Sequence, residues 1–153
     1  MALTCTSRGF GYYATSTATW ALTPGSYPAA GSTLVLAIAY NNSGTSGADP
    51  GVSSVTDSRG NTWGAVVGPI RRSPGNVASD GLMFRIYTTR QDVGNLTGTD
   101  TITVNFGAAV AAKAWDLWEV PAAAGYFADY AGGNSNSGAG TTRAGRSRAP
   151  WAR

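Results

Sequence analysis

The chain between residues 15 and 120 is a series of short β-prone runs, several of which alternate apolar and polar residues. Alternation with a period of two places successive side chains on opposite faces of a strand. Clusters of Gly, Pro, Asn and Asp separate the runs, as turns require. The pattern predicts strands at Thr17–Leu22, Thr33–Asn41, Val52–Thr56, Thr62–Val67, Leu82–Thr89, Thr99–Phe106 and Lys113–Val120.

Three of these runs indicate how the strands are arranged. Thr33–Asn41 is apolar at nearly every position, which is typical of a central strand packed on both faces. Val52–Thr56 and Thr62–Val67 flank a compact polar turn, and we predict that they form an antiparallel hairpin. Residues 68–81 contain Pro69 and Pro74 and are predicted to be a loop.

The last run leaves an alternative open. Ala108–Leu117 is rich in Ala with Lys and Leu, so a helix there would also be compatible with the residue types. Pro121 and the two preceding tryptophans favour a strand at a sheet edge instead. As a strand, the run has Ala114, Asp116, Trp118 and Val120 on one face and Lys113, Trp115, Leu117 and Glu119 on the other.

Seven or eight strands, with no internal repeat, predict an all-β protein. We expect an antiparallel two-layer β-sandwich, jelly-roll-like, over residues 1–130 and an extended C-terminal arm over residues 131–153. A length of 153 residues suits one domain. Only 12% of the residues are charged, so uncharged polar residues and glycine must form much of the surface, which suits extensive protein contacts.

The composition also narrows the chemistry. There is no histidine, Cys5 is the single cysteine, and the single lysine, Lys113, lacks the glycines of a phosphate-binding loop. We therefore expect no enzymatic activity, no cofactor and no metal. Leu34–Tyr40 is the longest apolar run and is too short to span a membrane. Because the N-terminus lacks the pattern of a secretory signal, folding in a cytoplasm is expected.

Positive charge is concentrated at the C-terminus. Residues 1–130 contain seven basic and eight acidic residues, whereas residues 131–153 contain four arginines and no acidic residue. This Gly/Ser-rich segment is predicted to be disordered alone and to become ordered on a partner surface. A solvated tail and a nucleic-acid-binding arm are the alternatives. The predicted partner-binding residues are Arg143, Arg146, Arg148, Trp151 and Arg153, with Trp151 as the anchor.

The segment between the two predicted hairpin strands has its own physical interpretation. Asp57 is placed to accept hydrogen bonds from the amides of Arg59 and Gly60 and so close an Asx-type turn. Gly60 suits the positive φ of such a turn, and Trp63 would pack beneath it. Asp57, Gly60, Asn61 and Trp63 are therefore predicted to be structural. A calcium site formed by Asp49, Asp57 and Asn61 is the alternative.

The sequence VSSVTDSRGNTW at residues 52–63 resembles a recurrent pattern of bacteriophage and prophage virion proteins, V-x-D-x-x-G-N-x-W. The resemblance extends over about 88 residues, from Thr33 to Val120, and includes a late Trp118-Glu119. It implies a jelly-roll-like sandwich that serves as a structural or adhesive viral protein. We accordingly expect a capsid decoration or minor tail protein, located in the virion and forming a homo-oligomer. Its expected partners are the major capsid protein or other virion subunits, with nucleic acid disfavoured.

Two further hypotheses concern the aromatic and acidic residues. An aromatic platform could bind glycans, as in a carbohydrate-binding or host-adhesion module. Asp116 and Glu119 should point to opposite faces, which disfavours an acid–base pair, and Asp57 would meet Glu119 only if their strands paired. Ion pairing with Lys113 or Arg85 is the favoured role for these acids. The candidate platform residues are Trp20, Trp63, Trp115, Trp118, Tyr12, Tyr13, Tyr40 and Tyr87.

Overall fold

A computed structural model describes residues 5–26, 28–41, 50–72, 81–91 and 93–121. Within these ranges the chain is all-β, and no helix is present that could cross a membrane. The predicted arm, 131–153, and Asp49 lie outside the described residues. The strands are β1 Thr6–Tyr13, β2 Thr17–Leu22, β3 Thr33–Asn41, β4 Val52–Asp57, β5 Trp63–Arg72, β6 Leu82–Arg90, β7 Ile102–Val110 and β8 Lys113–Val120.

The strands form two antiparallel sheets, which confirms the predicted sandwich. One sheet has five strands in the order β1-β8-β3-β6-β5, and the other has three in the order β2-β7-β4. Successive strands mostly alternate between the sheets. This order is that of a jelly roll, except that β5 pairs with β6 instead of joining β4.

The core lies between the two sheets and follows directly from the alternation of side chains. Every second residue of β3, from Leu34 to Tyr40, is fully buried, and Leu117 of β8 lies beside them. Ile102, Val104 and Phe106 of β7 come from the opposite sheet, on one face as predicted. Tyr40 and Phe106 meet edge to face across the core, with ring centroids 5.2 Å apart.

The predicted hairpin between Val52–Thr56 and Thr62–Val67 is wrong. β4 pairs with β7 in one sheet, and β5 pairs with β6 in the other, so residues 58–62 cross between the sheets. The alternation of apolar and polar residues does not distinguish a hairpin from such a crossing. It shows which face of a strand is buried, but it does not show which other strand is its partner. Asp57 and Glu119, on β4 and β8, therefore lie in different sheets and do not pair.

Other boundaries also needed correction. β5 continues to Arg72 through the predicted loop, with register shifts after Ala65 and Val67. Pro69 favoured a loop in the prediction, but an edge strand tolerates a proline. β1 was not predicted, since its sequence TSRGFGYY has no buried alternation. β8 is a strand, which excludes the helix alternative at residues 113–117, but it lies between β1 and β3 rather than at an edge.

Candidate protein-binding face

The outer surfaces of the two sheets differ in polarity. On the three-stranded sheet, Ala18, Ala108 and Ala109 are exposed towards one end, and the outward side chains that face one another across the strands are hydroxyls and amides apart from Ala21. They bond to one another across strands: Thr19 Oγ1 donates to Asn105 Oδ1 at 3.2 Å, and Asn105 Nδ2 donates to Ser54 Oγ at 2.9 Å. This surface has the character of one that faces water. Its outward residues are Thr19, Ala21, Ser54, Thr56, Thr103 and Asn105.

The outer surface of the five-stranded sheet is largely apolar, with polar positions such as Ser7, Thr33 and Thr88 towards one end, and we refer to its apolar part as the apolar face. Four of its side chains are strongly exposed: Phe10 at 80%, Tyr12 at 85%, Leu82 at 48% and Trp118 at 39%. Its members are direct cross-strand neighbours, so they form one continuous patch. The apolar face comprises Phe10, Tyr12, Val35, Ala37, Ala39, Val67, Ile70, Leu82, Phe84, Ile86, Ala114, Trp118 and Val120.

The residue pattern of strand β3 is that of a strand covered on both faces, which indicates that a partner covers the apolar face. Its inward residues are buried, and its outward residues, among them Val35, Ala37 and Ala39, are only partly covered by neighbouring strands. A strand that is apolar on both sides is typical of a sheet buried on both faces. The position of β3 at the centre of its sheet is as predicted. The described chain covers only one of its two faces, and contiguous exposed apolar surface of this kind marks interaction sites.

One carboxylate interrupts the apolar face near its middle. Asp116 of β8 lies between Phe10 of β1 and Ala37 of β3. Its Oδ1 is buried and has no hydrogen-bond partner among the residues that the structure describes. The predicted ion pair of this residue with Lys113 or Arg85 is therefore not formed by Oδ1. An unpaired buried carboxylate oxygen is unfavourable, so a cationic or N–H donor group from a partner would be favoured at this point.

A depression of about 250 Å³ opens at one end of the apolar face. Four residues belong to both the apolar face and the lining of the depression: Tyr12, Ala39, Leu82 and Ala114. The volume is small beside the 300–1,000 Å³ typical of ligand pockets, so it suits a single inserted side chain better than a cofactor. Its surroundings are completed by Tyr13, Ala14, Tyr40, Asn41, Ala112 and Lys113.

Glu119 holds β8 in place from the inner side of the sheet. Its carboxylate forms an ion pair with Arg8 of β1 and accepts a hydrogen bond from the Ala29 amide. Burial by itself raises the pKa of Glu119. Hydrogen bonds from Ser32 and Ala29, with the charge of Arg8, outweigh that effect and lower the pKa below its usual value. Arg8, rather than the predicted Lys113 or Arg85, is thus its partner.

Lys113 anchors the other end of β8. Its ammonium group is buried and donates to the backbone carbonyls of Thr15, Thr17 and Val110, with a distance of 2.9 Å to Thr15. It also lies 5.5 Å from the ring centroid of Tyr13. Burial lowers the pKa of Lys113. The contacts of Lys113 and Glu119 thus hold both ends of β8, whose outward side chains belong to the apolar face.

The residues predicted to form a structural turn do come together, with one change in the donors. Oδ1 of Asp57 accepts from the amides of Arg59 and Asn61, at 2.9 and 3.2 Å, rather than from Arg59 and Gly60. The Gly60 amide donates instead to the Asp57 carbonyl, and Gly60 has a φ of +78°. Trp63 Nε1 donates to Asp57 Oδ2 at 2.7 Å, a contact that the sequence did not indicate.

Asn61 connects this turn to the segment before β7. Its Oδ1 accepts from the amides of Val93 and Gly94, and its Nδ2 donates to the Gly94 carbonyl at 2.8 Å. The oxygens of Asp57 and Asn61 that a calcium ion would need therefore face N–H donors. Beside them, the Ser58 hydroxyl, above all, and Arg59 hold the pKa of Asp100 well below its usual range.

The predicted aromatic platform is divided between the core and the surface. Trp20, Tyr40 and Tyr87 are buried in the core, and Trp63 and Trp115 pack against it. Trp115 covers Gly11, where a Cβ would lie 2.8 Å from the indole nitrogen. Tyr12 and Trp118 lie on the apolar face, and Tyr13 is exposed beside the depression.

Asp116 and Glu119 point to opposite sides of the five-stranded sheet, as their spacing predicted. Arg143, Arg146, Arg148, Trp151 and Arg153 lie outside the described residues. Phe10, Leu82, Phe84 and Ile86 were not predicted to belong to an exposed surface. The available signal was that β3 is apolar in both of its alternating sets and that Leu82, Phe84 and Ile86 form an apolar set on β6.

Within the described ranges, no three Cys, Asp or Glu side chains are grouped closely enough to hold a metal ion. Comparison of the chain with family models, with curated proteins and with solved structures finds no match.

Proposed function

We propose that the protein is a non-enzymatic structural protein that attaches to a larger protein assembly through the apolar face. The observation that carries the proposal is the contrast between the two sheets: one outer surface is polar and bonded to itself, and the other is apolar and continuous. The contacts of Lys113 and Glu119 hold both ends of β8 and so preform part of the apolar face. A preformed surface loses little entropy on binding, which favours adhesion.

The assembly that we propose is a bacteriophage particle. The support is the V-x-D-x-x-G-N-x-W pattern of Val55, Asp57, Gly60, Asn61 and Trp63 together with the jelly-roll strand order. In this proposal the chain decorates or cements the capsid, or belongs to the tail. It binds the major capsid protein or another virion subunit, as a homo-oligomer, through the sandwich and the arm 131–153.

A carbohydrate-binding or host-adhesion module is the second candidate. Its support is the exposure of Tyr12 and Trp118 on the same face. Sugar sites combine such aromatic surfaces with several polar groups, whereas the middle of this face offers one carboxylate, Asp116. The surface is therefore better matched to an apolar protein partner.

Two alanines provide a matched pair for a test. Ala114 is exposed on the apolar face, and Ala21 is exposed on the polar surface of the other sheet. Cells carrying the coding sequence would be induced to release particles, and the chain in purified particles would be measured by mass spectrometry. We expect Ala114→Glu to remove the chain from the particles and Ala21→Glu to leave its amount unchanged.

The outcomes separate the two candidates. Absence of the unaltered chain from the particles would overturn the virion proposal, and equal retention of both variants would overturn the role of the apolar face. A glycan array would test the second candidate. Glycan binding that is lost in Trp118→Ala, together with absence from particles, would favour the carbohydrate-binding module.

A further inference from the structure

We infer that the C-terminal segment 131–153 of the same chain docks on the apolar face, with an arginine of the segment paired to Asp116. The inference rests on the proposed function in one respect, namely that the apolar face binds protein. It goes further by naming the first occupant of that face in the free protein.

Charge complementarity is the first argument. Asp116 is the only carboxylate on the apolar face within the described residues, and its Oδ1 is buried without a partner. Apolar side chains lie on both sides of it, including the exposed ring of Phe10. A guanidinium suits this setting better than an ammonium, because it is weakly hydrated and stacks on aromatic rings while it bonds to a carboxylate.

The described basic side chains are largely engaged elsewhere. Arg8 pairs with Glu119, and Arg59 pairs with Asp100. Arg85 donates to the Tyr40 hydroxyl, on the inner side of the sheet, and Lys113 is buried against backbone carbonyls. The segment 131–153, by contrast, has four arginines and no acidic residue. It also contains Trp151, which matches the aromatic character of the face.

The position of the segment in the chain is the second argument. The described residues end at Pro121, directly after β8, and Asp116 lies five residues earlier on that strand. Five strand residues span about 17 Å. The 21 residues between Pro121 and Arg143 reach up to about 70 Å when extended, several times that distance. Tethering gives such a contact an effective concentration of about millimolar, far above that of another copy at micromolar concentration.

Docking of the segment would cover the apolar face before assembly. Exposed apolar sheet surface promotes self-association, and a covering segment that is released to a competing partner avoids it. The segment and the particle then compete for the same residues.

Paramagnetic relaxation in the full-length chain tests the inference. The single cysteine permits a clean design, in which Cys5→Ser is combined with Ser147→Cys and a nitroxide label between Arg146 and Arg148. We expect broadening of the amide signals of β8 and β3 around Asp116 and Ala37, and none around Thr103 of the polar surface. Asp116→Asn should weaken the docking equilibrium about tenfold, and Asp116→Glu should restore most of it.

Three outcomes would overturn the inference: no broadening, equal broadening on the two outer surfaces, or broadening that Asp116→Asn leaves unchanged. A mixture of nitroxide-labelled chain with isotope-enriched, unlabelled chain distinguishes contact within one chain from contact between two copies. Broadening of the enriched chain's signals would show that the contact forms between copies, and this would also overturn the inference. The particle assay on Ala114→Glu remains independent. If Ala114→Glu removes the chain from particles but no broadening is seen in the full-length chain, the proposed function still holds and only this inference is overturned.

Discussion

Trp63 Nε1 donates a 2.7 Å hydrogen bond to Oδ2 of Asp57, across the connection that carries the chain from one sheet to the other. The same carboxylate accepts the amides of Arg59 and Asn61 through Oδ1. One side chain therefore sets both the conformation of the turn and the position at which β5 begins. In this respect the turn joins the two layers of the sandwich.

We expect Trp63→Phe to lower the free energy of unfolding by about 2 kcal/mol, because it removes a hydrogen bond to a charged group and retains most of the ring. Asp57→Asn should be destabilising as well, since its amide group would face N–H donors. Denaturant unfolding of both variants and of the double variant measures the coupling, which we expect to be about 1–2 kcal/mol. Strict additivity would contradict the proposed link between the two side chains.

Gly60 and Gly64 offer a comparison of backbone conformation without steric interference. A Cβ at either position meets nothing within 4 Å, but only Gly60 has a positive φ, of +78°. Gly60→Ala should therefore lower the free energy of unfolding by about 1–2 kcal/mol through backbone strain alone. Gly64→Ala should change it by less than about 0.5 kcal/mol. Equal effects in chemical denaturation would show that the turn relaxes.

Glu119 makes part of the stability depend on acid. Folding lowers the pKa of Glu119 from its ordinary value of 4.5, so its contribution to stability is present above about that pH and is lost as the pH falls further. Glu119→Gln should lower the free energy of unfolding at pH 7 by about 2 kcal/mol. The difference in the free energy of unfolding between the variant and the unaltered protein should shrink as the pH falls below about 4.5.

The pKa of Asp100 is lowered in the folded state, as is that of Glu119, so the stability of the Glu119→Gln protein should still fall somewhat in acid. Urea unfolding across this pH range gives the comparison. A difference between the two proteins that is constant with pH would contradict the role of the Glu119 charge.

Lys113 makes stability depend on pH at the alkaline end, again with stability rising as the pH rises. Burial lowers its pKa from 10.5, so the unfolded chain holds the proton more tightly and this residue's contribution to stability rises as the pH approaches 10.5. Lys113→Met should remove that rise, and near pH 7 it should cost about 2 kcal/mol because three backbone carbonyls lose a donor. Thermal or denaturant unfolding from pH 7 to 10.5 tests both effects, and parallel pH profiles for the two proteins would contradict the first.

The apolar run of β3 was sufficient to predict a central strand, and the alternating patterns of β7 and β8 were sufficient to predict which of their residues share a face. Side-chain direction in a strand is a local property of the backbone, so it can be predicted from the order of the residues alone. The same holds for the turn at Asp57–Asn61, whose hydrogen bonds join residues within four positions of each other. β1 was missed because an exposed edge strand has no buried set to produce alternation.

Tertiary structure alone decided which strands pair and what lies on the two outer surfaces. β4 and β5 are adjacent in the chain but lie in different sheets, while Arg8 and Glu119 meet from 111 positions apart. The apolar face arises in the same way, because it combines residues of five strands that no local pattern places together. Each strand can pair with any of several apolar surfaces, and only the folded structure shows which of those surfaces the described residues leave exposed.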